Sequence, residues 1–161
     1  MAAAQALLAH RALGRMAVCD NANDFADAAN DLLAATRGIS ASIATLARTG
    51  ASDGSERRRA FTAWFAANVR DVVAHPIQTE LHAKQTPPTV YVSRLARGSA
   101  HPPIREAMTL GNMQSFKPRP DDFYFEGLDK LPAIQLCSEY LDRVTNLLDQ
   151  SKVAMARFGL E

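Results

Sequence analysis

The chain has 161 residues, 47% of them hydrophobic, and a formal net charge of +1. A chain of this length buries about two-thirds of its unfolded surface, so one core can form without metal or disulfide support. The near-neutral charge excludes a global field drawing the protein to nucleic acid or to an anionic membrane, and the abundance of alanine favours close-packed helices over a sheet.

Residues 2 to 18 hold good helix formers anchored by Leu7, Leu8, Leu13 and Met16. The capping residues of Asp20-Asn21-Ala22-Asn23-Asp24 open a longer helix to about Arg48, whose apolar positions from Phe25 through Leu32, Ile39 and Leu46 recur every three or four residues. Gly38 inside it predicts a kink or a close helix contact. After an exposed connector, Ser55 caps a third helix, 56 to 75, with Phe61, Trp64, Phe65, Val69 and Val72 on its apolar face and Trp64 substantially buried. Pro76 bounds that helix, because proline pushes the preceding residue out of the α region. A short helix follows over 77 to 84.

Six of the eight prolines fall between 87 and 120, which bars long helices there. Within this stretch Thr89 to Leu95 alternates and is rich in β-branched residues, so it predicts a strand, with Phe123-Tyr124-Phe125 as its partner. Pro132 opens the last helix, 132 to 158, whose stripe runs from Ile134 through Leu141 and Val144 to Phe158, with Gly159 as its stop. The expectation is a single all-α domain over 1–161: a bundle of about four main helices with a small β-ribbon insertion in the proline-rich 88–126.

Cys19 and Cys137 stand outside any C-x-x-C pair or Cys/His cluster, which argues against a thiolate metal site. Two buried, reduced thiols in a cytoplasmic chain are expected, with a disulfide as the alternative. Gln5, His10 and Arg11 interrupt the apolar run that a secretory signal needs, and no segment reaches the roughly 20 apolar residues of a membrane span. Phosphate loops, zinc-hydrolase spacing and a nucleophile elbow are all missing, so neither metal nor cofactor is expected.

The segment Arg70-Asp71-Val72-Val73-Ala74-His75 resembles the R-φ-x-x-x-H signature of the HEPN superfamily, all-α proteins many of which cleave RNA as dimers. The resemblance implies His75 and Arg70 acting on the scissile phosphodiester, with Asp71 positioning them. Imidazole supplies proton transfer near neutral pH, and a guanidinium opposes the charge developing on phosphorus, so no metal is needed. On an ideal helix, however, Arg70 projects about 180° from Phe61 and His75 about 320°, so the two meet only if the helix ends at Ala74 and His75 swings away from the apolar side. Otherwise Arg70 is a solvated residue, and His75 a helix-end residue favoured by the macrodipole.

A longer resemblance runs through Phe61-x-x-Trp64, the His75-Pro76 turn, Tyr124-Phe125-x-Gly127-Leu128 and Leu136-Cys137-x-x-Tyr140-Leu141. This combination is similar to an uncharacterised bacterial helical family with a HEPN-like core. Where that family carries Arg-Asn-x-x-x-His, this chain reads Leu81-His82-Ala83-Lys84-Gln85-Thr86, which implies a scaffold kept and a catalytic centre lost.

Arg57-Arg58-Arg59 at the start of helix three is a candidate anion site, or a solvated basic face. Asp121, Asp122, Glu126 and Asp129 surround the aromatic strand, either as a cation or basic-peptide site or as an acidic loop pinned by aromatics. The leading expectation is a non-enzymatic interaction protein on a HEPN-like scaffold, acting on a protein partner. Its alternative is a metal-independent ribonuclease using Arg70 and His75, with RNA as the partner in that case alone. A third reading places Met108, Met113 and Phe123 as a lid over a small ligand. Homodimer formation is expected because Leu136, Tyr140 and Leu147 extend the apolar surface of the last helix beyond its main stripe, more than one neighbour can bury.

Overall fold

The computed structural model describes residues 1–52, 55–84, 87–93 and 117–160. It is all-α with one small antiparallel ribbon. In chain order the elements are α1 (Ala2–Met16), α2 (Ala22–Ser52), α3 (Glu56–Asn68), α4 (Arg70–Val73), a π-helical turn (Ile77–His82), β1 (Val90–Val92), a 3-10 turn (Pro120–Asp122), β2 (Phe123–Phe125) and α5 (Ala133–Phe158). Residues 94–116, which include Met108 and Met113, lie outside the described residues, so the lid expected there is not placed.

Helices α1 and α2 form an antiparallel hairpin. Its entry is fixed by Asn21, whose side-chain oxygen accepts from the Asp24 N–H at 2.9 Å and satisfies one of the free donors at the start of α2. Gly38 produces no break. It lets α1 come close: a methyl at that position would meet the Gln5 side chain at 3.3 Å. Ala9, Ala12 and Met16 of α1 pack with Phe25, Leu32 and Ile39 of α2 in the main core.

Two expectations about helix three change. The expected helix from 56 to 75 stops at Asn68, and a separate single turn, α4, follows it. At its end Asn68 donates its side-chain amide to the Trp64 carbonyl at 2.7 Å, a bond that competes with the last turn of the backbone ladder. Phe61, only 2% exposed, fills the buried position on α3, whereas Trp64 and Phe65 are half-buried and lie at the edge of the core.

The ribbon forms where the alternation placed it. β1 and β2 pair antiparallel with Tyr91 opposite Tyr124, and Phe123 stacks on Phe25 of α2 with ring centroids 4.3 Å apart. The short helix expected over 77–84 is instead the π-helical turn.

Helix α5 runs through the centre of the molecule. Its main stripe, Cys137, Leu141, Val144 and Leu148, is buried, and so are Leu136, Tyr140 and Leu147. The second apolar side that motivated a dimer is therefore covered within the chain, and the segment from α4 through the π-helical turn supplies part of the cover, with His75 and His82 packed on Tyr140. Cys137 is buried and Cys19 half-buried, and both thiols are free.

Candidate functional site

The Pro76 stop does end α4 before His75, but the imidazole stays on the apolar side. Only 2% of His75 is exposed, its ring lies 5.1 Å from that of Tyr140, and its Nδ1 accepts the Ile77 backbone N–H at 3.2 Å. That bond fixes the neutral tautomer with the proton on Nε2, and Nε2 is buried with no hydrogen-bond partner among the described residues. Burial and, secondarily, the Arg143 guanidinium hold the His75 pKa below the usual histidine value, with Glu139 opposing them.

Arg70 and Asp71 point the other way. Both are exposed and line a groove of about 270 Å³ between α4 and α5, together with Arg143, Asn146 and Gln150. Arg143 donates to the Asp71 carbonyl oxygen at 2.9 Å and so ties α4 to α5. The structure thus brings Arg70 and Asp71 together with Arg143, and leaves His75 behind α4 in the core.

What surrounds His75 is a polar cluster that no short motif announces. Tyr140 donates its hydroxyl proton to Gln78 Oε1 at 2.9 Å, and His82 Nδ1 lies 3.0 Å from the same oxygen. With Gln78 Oε1 as the shared acceptor, His82 carries its proton on Nδ1 and is neutral. Gln78 and His82 lie four residues apart in the π-helical turn, so both present to the same side, against Tyr140 of α5. Burial drives the His82 pKa down to about 4; Arg37 of α2 adds to the effect, and the Leu33 carbonyl opposes it. Burial likewise raises the Tyr140 phenol, with Ser40 and Arg37 acting in the opposite direction. The chemical consequence is neutrality. At neutral pH the cluster holds two uncharged imidazoles and a protonated phenol, a set suited to packing helices in one register rather than to moving protons to a solvent-borne substrate.

The other sequence candidates also have structural partners. Arg57 and Arg59 are exposed and Arg58 is half-buried, and the Ser55 hydroxyl already caps α3 by accepting from the Arg58 N–H at 3.3 Å. The Arg57 guanidinium lies against Gly159, where a Cβ would meet its Nη1 at 3.1 Å, so this cation sits at the C-terminal end of α5, which the helix dipole favours. In the acidic ribbon, Asp122 accepts from the Arg119 N–H at 2.7 Å, and Asp129 accepts from the Tyr91 hydroxyl. Two of the four carboxylates thus organise the turn around the aromatic strand. Among the described residues no group of three or more His, Cys, Asp or Glu is placed to hold a metal ion, and no helix is long and apolar enough to cross a membrane.

Sequence reasoning missed Arg143, Gln78 and the role of His82. Arg143 had a signal: it lies three residues past Tyr140 and four before Leu147, on the side of α5 that covers α4. Gln78 had none, because its partner Tyr140 lies 62 positions away on another helix.

Compared with protein-family models, curated proteins and solved structures, the chain finds no match.

Proposed function

We propose that the protein is a non-enzymatic helical interaction protein built on a HEPN-like scaffold and acting in the cytoplasm on a protein partner. The observation that carries this reading is the state of His75. A general base needs a free lone pair within reach of the proton it removes, and the one lone pair of the His75 ring is already engaged by the Ile77 N–H inside the core. Arg70 and Asp71, on the opposite side of α4, have no imidazole beside them among the described residues that line their groove. The segment 81–86, without arginine and asparagine, supports the same reading.

Homodimer formation enters this proposal on a different surface from the one the last helix suggested. With Leu136, Tyr140 and Leu147 buried, the exposed apolar residues include Leu7 and Leu8 of α1 and Val18 just after it, and these three support pairing through the α1 face.

The test is incubation of the purified protein with single-stranded RNA in the absence of metal, beside His75→Ala and Arg70→Ala. The expected result is no cleavage beyond a trace common to all three proteins. Cleavage by the wild type that both substitutions abolish, with helical content unchanged, would overturn the proposal in favour of the ribonuclease. Sedimentation equilibrium tests the dimer, and Leu8→Glu should return it to single chains.

A further inference from the structure

The Arg70 groove does not end at Gln150. Asn68 and Gln150 also border a second depression, of about 400 Å³, formed by Trp64 of α3 and by Val153, Ala154, Arg157 and Phe158 of α5. The two make one channel along the seam between α3–α4 and α5. From Arg143 to Arg157 it spans about 21 Å at the helical rise, the length of four turns of a helix.

Its two ends differ in chemistry. At the far end Trp64 is half-buried and Val153 is 70% exposed, so an apolar surface is open to water beside an aromatic ring. At the near end stand Arg70 and Arg143. Arg70, Arg143 and Arg157 form no ion pair with any carboxylate among the described residues, whereas Asp149 on the rim is already engaged by Lys152 at 3.1 Å. Asp71 is the one other acid in the channel, so three guanidiniums face one unengaged carboxylate.

We infer that this channel is the docking site for an acidic amphipathic helix of a partner protein, its apolar anchor beside Trp64 and its carboxylates against Arg70, Arg143 and Arg157. Charge complementarity selects the occupant. A helix four turns long fills the channel, presents apolar residues at i, i+3 and i+7 to Trp64, Val153 and Phe158, and places glutamates on its flanks where the arginines are. A nucleic-acid strand fits less well: Asp71 and Asp149 repel its phosphates, and the rings among the described lining residues, Trp64 and Phe158, both stand at the far end, leaving the Arg70 half without a stacking surface. An aromatic residue set in a half-buried cleft is also the usual centre of binding energy in protein contacts. The inference rests on the interaction-protein reading and names its surface and partner class.

Trp64 is the only tryptophan in the chain, so binding reports on itself. Three probes are titrated against the full chain: a 16-residue helical peptide with leucine at i, i+3, i+7 and i+10 and glutamate at the flanking positions, the same peptide with lysine for every glutamate, and a 12-nucleotide oligouridylate. The acidic peptide should give a saturable blue shift of Trp64 emission that weakens with salt. Arg70→Glu and Arg157→Glu, both exposed sites, should each weaken it roughly tenfold and strengthen the lysine peptide. No saturable shift with the acidic peptide, equal binding of the two peptides, or tighter binding of the oligouridylate would each overturn the docking site. RNA cleavage abolished by His75→Ala would overturn the underlying reading instead, so the two failures are told apart.

Discussion

Tyr140 and Gln78, 62 residues apart in sequence, meet through one hydrogen bond of 2.9 Å that joins α5 to the π-helical turn. The acceptor is shared with His82, and this sharing sets the order of mutational effects. Tyr140→Phe removes one donor and leaves Gln78 bonded to His82, so it should cost about 1 kcal/mol in urea denaturation. Gln78→Leu strips the acceptor from two buried donors at once and should cost about 2 to 4 kcal/mol. The reverse order would mean that the glutamine does not organise the cluster.

The same cluster makes stability depend on pH. His82 in the fold titrates near 4, below its ordinary 6.5. Between those values the unfolded chain binds a proton that the folded chain refuses, so stability falls as pH falls through that window, and the contribution flattens below about 4. His75, also held down by burial, acts with the same sign. Urea midpoints measured from pH 7 to 4 should decline, and His82→Gln should decline less steeply. Parallel curves for the two proteins would place the acid sensitivity elsewhere.

The helices and the ribbon were legible because their signals are local. Asn21 and Ser55 cap what they were expected to cap, Gly159 stops the last helix, and the alternation around Val90 and Tyr124 pairs as a ribbon, whereas helix three ends at Asn68, well before Pro76. The candidate site was legible only as an inventory of side chains. Whether His75 joins Arg70 depends on which side of a one-turn helix it faces, and that is decided by Tyr140, which lies 65 positions away and belongs to another helix. The covered second side of α5 was missed for the same reason: counting apolar residues on one helix does not reveal that the π-helical turn and α4 supply the cover.

Helix three offers a direct comparison of two aromatic neighbours. Phe61 and Trp64 stack with centroids 5.6 Å apart, but Phe61 lies inside the small cluster with Ala47 and Ala154, and Trp64 lies at its edge. Phe61→Ala should therefore cost about 3 to 5 kcal/mol, the range for emptying a buried aromatic site. Trp64→Ala, despite the larger side chain, should cost less, because part of its surface already faces water. Thermal and urea unfolding of the two variants settle the order, and an equal or larger loss at Trp64 would contradict the packing described.

Two glycines, Gly159 at the end of α5 and Gly14 within α1, permit substitutions with opposite signs. Gly159 has φ +65°, and around it the Leu160 N–H bonds to the Met155 carbonyl at 2.9 Å and the Gly159 N–H to the Ala156 carbonyl at 3.0 Å. These two bonds close the last turn in a Schellman arrangement, and they bring Leu160 over Met155 in the cluster around Phe61. An L side chain in the left-handed region costs roughly 1 to 2 kcal/mol, so Gly159→Ala should destabilise by about 1 kcal/mol, less than the full figure because a helix end can fray. The nearby Arg57 guanidinium is the tip of a flexible side chain and can move, so adding Arg57→Ala should not rescue the variant. Gly14 is the contrasting case: it lies within α1 with open space where a methyl would go, and Gly14→Ala should stabilise by up to about 1 kcal/mol through helix propensity alone. Urea denaturation of the two single variants and the Gly159→Ala, Arg57→Ala double variant checks the argument. A neutral Gly159→Ala, or full rescue by the arginine substitution, would show that steric crowding rather than backbone conformation governs this end of the helix.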